Sequence, residues 1–100
     1  MRKSEKFKRV LSSVSEVTEI KEKDILSNNK VMDVCTARRL LFLLLHKMGM
    51  RPVTIKRLCK QEGWVSVGHS TVLQNITRAT KLEQENEEFQ FFLDEVAKSI

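Results

Sequence analysis

Between Val31 and Met48 the chain sets apolar side chains at 31, 34, 35, 41, 42, 45 and 48, and Leu40, Leu43 and Leu44 widen that face to nearly the whole circumference of a helix. A helix apolar on almost every side is stable in water only where other elements cover it, so this segment belongs at the centre with the rest of the chain packed around it. Its unbroken apolar run, Leu40 to Leu45, is 6 residues long and cannot span a bilayer. A chain of 100 residues, 41% of them hydrophobic, supports one such core, which predicts a single domain over residues 1–100.

The remaining segments read as the covering elements. Residues 4 to 18 place Phe7, Val10, Leu11, Val14 and Val17 at helical spacing, with Ser4 as N-cap. Ile20, Ile25 and Leu26 mark an irregular stretch with one short helical turn from Lys23, closed by the turn-forming Ser27-Asn28-Asn29. Gly49 ends the central helix and Pro52 suits a helix start, after which Val53 to Glu62 carries Ile55, Leu58 and Cys59 on one side and Lys56, Arg57 and Lys60 on the other. The turn Gly63-Trp64-Val65-Ser66 leads into a helix over about 67–82, with Ser66 as cap, Gly68 permitting close backbone approach, and Val72, Leu73 and Ile76 as the buried stripe. A closing helix over about 86–99 sets Phe89, Phe92, Leu93, Val96 and Ile100 at spacings of three or four, and the acidic run Glu83 to Glu88 is a solvated junction before it. The pattern predicts an all-α fold: a compact helical domain of four to six helices containing a helix-turn-helix.

Charge is divided unevenly. Residues 1 to 82 hold 17 Lys/Arg against 7 Asp/Glu, a formal +10, whereas residues 83 to 100 hold 1 against 6, a formal −5. A basic body attracts nucleic acid or an anionic membrane surface through long-range electrostatics. The start, Met1-Arg2-Lys3, is followed by charged residues and not by an apolar signal core, which predicts a cytoplasmic protein. Cys35 and Cys59 fall inside apolar helical patterns and read as small buried thiols with no disulfide. The spacing Cys35, His46, Cys59, His69 has no close ligand pair of the zinc-binding kind, so no metal is expected. Cys59 and His69 lack an orienting third group, and no phosphate-binding loop exists in a chain with 3 glycines, so neither catalysis nor a cofactor is expected.

The predicted turn-helix carries the functional signal. Opposite its buried stripe lie Ser70, Thr71, Gln74, Asn75, Arg78 and Lys81, donors and acceptors ending in cations, which is what a helix laid in the DNA major groove requires. Lys30, Arg38, Arg39 and Lys56 are the candidate phosphate contacts, with Arg38 and Arg39 burying their stems while the guanidinium groups reach outward. The alternative for both arginines is a surface ion pair with Asp33 or Glu62. Trp64 has two readings, a packing plug with a satisfied N–H or a base-stacking platform, and the usual burial of aromatic side chains in cores favours the plug.

From about Phe7 onward the chain resembles the C-terminal DNA-binding domain of the bacterial replication initiator DnaA, a Trp-repressor-like helical fold. The resemblance rests on Asp24-Ile25-Leu26-Ser27, on Ala37-Arg38-Arg39 before the apolar run, and on Gly68-His69-Ser70-Thr71-Val72-Leu73 at the start of the reading helix. It implies double-stranded DNA as partner, Arg38 on phosphate, and His69, Ser70 and Thr71 at base edges; His69 also fits a capping or partly buried role. It further implies that any ATP-dependent step belongs to a separate ATPase or replication protein. The chain departs from the family where Val67 and Gly68 replace an Arg-Asp pair, where the basic loop keeps one cation, Lys30, and where Thr36 replaces a minor-groove arginine. Those departures leave open a second class, a helical protein–protein interaction module with no DNA contact.

Overall fold

The segment apolar on all sides forms the axis of the molecule. The computed structural model describes residues 2–100, which form α1 (Lys3–Thr18), α2 (Glu22–Ile25), α3 (Met32–Lys47), α4 (Pro52–Gln61), α5 (His69–Glu85) and α6 (Glu87–Ser99), with no strand among the described residues. Helix α3 packs against each of the other helices. Leu40, Leu41, Phe42 and Leu45 are completely buried, and each stabilises the fold by about 1.5–3 kcal/mol relative to exposure. Around them close Phe7, Val10, Leu11 and Val14 of α1, Ile55 and Leu58 of α4, Val72, Ile76 and Ala79 of α5, and Phe89, Leu93 and Val96 of α6. Among the described residues no helix is long and apolar enough to cross a membrane.

Two glycines set the turns. Gly49 at φ +90° and Gly63 at φ +108° follow α3 and α4 in the left-handed region, where a side chain would be strained. Each ending has the same double closure. Gly49 N–H donates to His46 O and Met50 N–H to Leu45 O, while Gly63 N–H donates to Lys60 O and Trp64 N–H to Cys59 O. In both, the residue after glycine is buried, Met50 in one and Trp64 in the other, so the helix end and the core are secured together. Distant segments are tied by Ser13 Oγ donating to Val96 O (3.0 Å) across α1 and α6, and by Lys47 Nζ to Glu83 (2.7 Å) between α3 and α5.

Several local expectations are corrected. Ser4 lies inside α1, whose cap residue is Arg2 with no side-chain bond. Ser66 does not cap α5; the helix begins two residues later than predicted, at His69 with Gly68 as cap residue. Trp64 and Val67 are both buried, so the chain dips into the core before turning helical, and the start is displaced. A Cβ on Gly68 would meet only Thr71 Oγ1, at 3.9 Å, so no close backbone approach requires glycine there. Val31 and Met48, counted with the buried face of α3, are exposed because the ends of the helix project past the elements that cover it. Leu73 is corrected likewise: it is 43% exposed, and the stripe is Val72, Ile76 and Ala79.

Cys59 is completely buried, and desolvation pushes its thiol up to about 12. In the unfolded chain a thiol ionises near 8.5. The folded state therefore keeps a proton that the unfolded state loses as pH rises. This contribution to stability is fully present below about pH 8 and is lost at up to about 1.4 kcal/mol per pH unit between about pH 9 and 12. Cys59→Ala removes it, so the stability difference between wild type and variant, measured by urea unfolding, should shrink from pH 8 to pH 10.5. A constant difference would contradict the assignment.

Candidate nucleic-acid interface

Helices α4 and α5 pack together and are joined by the turn at 62–68, longer than the usual three or four residues of a helix-turn-helix. Trp64 holds that turn. Its ring stacks on Phe42 of α3, centroids 6.3 Å apart and 10° from parallel, and its Nε1–H donates to Asn28 Oδ1 at 3.0 Å. Asn28 Nδ2 in turn donates to Ser66 Oγ at 3.0 Å. One side chain from the α2–α3 loop thus ties down two residues in the middle of the turn. Buried and satisfied, Trp64 is the packing plug and offers no face for stacking a base.

Arg38 is the principal correction to the predicted site. Its guanidinium does not reach outward: the residue is 5% exposed. Nε donates to Ile25 O at 2.9 Å, and one terminal nitrogen donates to Asn29 O at 3.0 Å and, more weakly, to Asp24 O at 3.4 Å. The group also lies over the Trp64 ring, 5.2 Å from its centroid. Burial lowers its pKa from the ordinary guanidinium value. The planar fork is spent on the end of α2 and the loop that follows it, so Arg38 builds the wall of the site and is not free to clamp a phosphate. Nor does it form the ion pair considered from sequence: the pairs are Lys8–Glu62, Lys47–Glu83 and Lys98–Glu95, and among the described residues neither Arg38 nor Arg39 joins one.

Above that wall runs a groove of about 740 Å³ between the α2–α3 loop and the front of α5. It unites seven of the ten predicted residues. Lys30, Arg38 and Arg39 line one side, and Thr71, Gln74, Asn75 and Arg78, spaced to share one helix face, line the other. Ser27, Asn28, Cys35 and Trp64 complete the lining, which contains no carboxylate. Arg39 is half-buried, and its Nε is a buried donor with no acceptor in the protein. Such a donor costs free energy where it stands unless something else satisfies it. Asn75 is partly committed, since its Nδ2 donates to Thr71 O at 2.8 Å.

The other three residues lie outside the groove. His69 and Ser70 are exposed in the first turn of α5. Lys56 belongs to a separate hollow on α4 with Val53, Arg57, Lys60 and Gln61, which removes it from the groove. Two further residues bear on the site: Lys81, which the sequence already places on the polar face of this helix, and Asn28, which no sequence pattern assigns to it. Lys81 lies past Arg78 in an adjoining hollow of about 230 Å³ that shares Arg39 and Arg78 with the main groove. Asn28 organises the turn from 36 residues away, a pairing that no local pattern could reveal.

Cys59 is a buried neutral thiol while His69 stands exposed, and among the described residues no group of three His, Cys, Asp or Glu side chains could hold a metal ion. No protein family, curated protein or solved structure matches this chain.

Removing Arg38 should therefore act on stability first. Arg38→Ala leaves two carbonyls at the end of α2 and one in the α2–α3 loop without their donor and opens space against Trp64, a loss of about 2–4 kcal/mol by chemical denaturation. Arg38→Lys should recover less than half of that, because a single ammonium cannot reproduce the fork. Equal stability of the three proteins would show that the fork does not hold the loop.

Proposed function

We propose that this protein is a sequence-reading double-stranded DNA-binding module that acts without catalysis. The observation that carries the reading is the carboxylate-free groove, in which cations from the α2–α3 loop and α3 face the polar front of α5. A duplex presents phosphates along two rims with base edges between them, and this surface has the matching order. Lys30 and Arg39 meet one rim; Arg78 and Lys81, one to two turns along α5, meet the other. Between them Gln74 has the amide that pairs with adenine, next to Thr71 in the groove lining; outside that lining, His69 and Ser70 are exposed in the first turn of α5 and Leu73 has an exposed apolar side chain suited to a thymine methyl. The unsatisfied Nε of Arg39 belongs to a side chain that gains from an anionic partner.

The finer part of the proposal comes from the resemblance to the DNA-binding domain of the initiator DnaA, which suggests origin recognition during replication and residence at the nucleoid. With Val67 and Gly68 in place of the family's Arg-Asp pair, the preferred sequence differs from that family's, and any ATP-dependent step is supplied by another polypeptide. A second reading, a protein-docking module, draws on the same exposed Leu73.

Titration of labelled duplex at several salt concentrations distinguishes them. With four phosphates engaged, log affinity should fall against log salt with a slope of about −4. Arg78→Ala should weaken all duplexes alike and reduce the slope by about 1, whereas Gln74→Ala or His69→Ala should lower discrimination among sequences with little change in slope. Absence of binding at about 50 mM salt, or a flat salt response, favours the docking module.

A further inference from the structure

Two exposed surfaces outside the groove are complementary to each other. On α6, Phe91 is 59% exposed, and the positions three and four residues away on either side are Glu87, Glu88, Asp94 and Glu95, so one aromatic ring stands inside a ring of four carboxylates. On α4, Val53 is also 59% exposed, and Lys56, Arg57 and Lys60 follow it along the same face. The α4 residues edge a hollow of about 420 Å³ whose lining has no carboxylate. Of these seven charges only Glu95 has an intramolecular partner among the described residues, Lys98 at 3.7 Å. Helices α4 and α6 do not touch, so the two surfaces cannot satisfy each other within one molecule.

We infer that α6 of one copy docks on α4 of the next, with Phe91 entering the hollow beside Val53 and the carboxylates around it facing Lys56, Arg57 and Lys60. Each surface alone is an ordinary solvated face. Together they show an apolar centre with opposite charge at the rim, on surfaces belonging to the same chain, which is the complementarity that steers and registers an association. The contact is head-to-tail: the two patches differ, so each copy keeps one free after binding, and association continues past the dimer unless the rotation closes a ring. Two single-helix faces bury less than a standard interface, so the affinity is weak, with Kd on the order of 0.1–1 mM, and rim charges make it salt-sensitive. The DNA groove is lined by α3, α5 and the loop before α3, not by α4 or α6. The inference therefore does not rest on the DNA-binding reading.

Sedimentation velocity on nuclease-treated full-length protein, without DNA, tests it. The weight-average mass should rise between about 10 μM and 1 mM to more than twice that of the monomer, and fall back in about 0.5 M NaCl. Two variants break one face each: F91S/D94K on α6, and R57E/K60E on α4. All four positions are exposed, so circular dichroism melts should match wild type. Each variant alone should remain monomeric. Their equimolar mixture should form a dimer and nothing larger, because the first keeps an intact α4 and the second an intact α6. Monomeric wild type throughout the range, or variants that self-associate like wild type, would overturn the inference. A mixture that stays monomeric would do so as well, and would leave the α4 cations to nucleic acid and the α6 face to a basic partner.

Discussion

The guanidinium of Arg38 is the interaction on which the functional half of this molecule depends. It is rooted in the central helix, donates to carbonyls of Asp24, Ile25 and Asn29, and covers the indole of Trp64, which holds Asn28 and through it Ser66. Helix α3, the loop before it and the turn before α5 are thereby fixed to one planar group. A carboxylate partner would have stabilised this buried cation further, but none is present; its charge is shared among carbonyl dipoles and an aromatic face instead. An uncancelled positive charge beneath the groove adds to the attraction for an anion above it, and the low-dielectric surroundings enhance that attraction. The arrangement costs stability through desolvation and leaves a cationic floor, and the unsatisfied Nε of Arg39 beside it follows the same logic.

Charge is partitioned by element as well as by sequence. The groove has cations and no acids in its lining, α4 is a basic helix, and α6 is acidic apart from Lys98. The separation is enforced by packing: α4 and α6 both pack against α1, α3 and α5 but do not touch each other. A surface divided this way has two uses for charge. In the two proposed contacts, cations in the groove would meet a polyanion and the remaining opposite-sign faces would meet in a neighbouring copy, so the contacts draw on different residues and need not compete.

Much of the architecture is legible in one dimension because it depends on periods and breakers. Six apolar residues in a row inside a helical pattern place α3 at the centre, and Gly49, Pro52 and Gly63 mark turns whose backbone needs those residues. The polar front of α5 could be listed from its spacing, and four of its six positions named from sequence do line the groove. Orientation about a helix axis is less legible. Leu73 is one residue from Val72, about 100° around the helix, and whether that angle is covered depends on where α3 and α4 lie. The start of α5 was misplaced for a related reason: Ser66 has good capping chemistry, but its hydroxyl is engaged by Asn28 while Val67 is drawn into the core.

What the chain determined by itself, then, was its class: helices, their order, a basic body with an acidic end, and a turn before a polar helix, all consequences of local propensity and of burying apolar surface. What only the tertiary structure decided was the fate of individual polar groups. Arginine at 38 and arginine at 39 are adjacent and chemically identical, yet one is folded inward onto three carbonyls and an indole while the other lines the groove with a free donor. Nothing local separates them, because a guanidinium goes where acceptors converge, and those acceptors come from residues up to 14 positions away, brought together only by packing around α3.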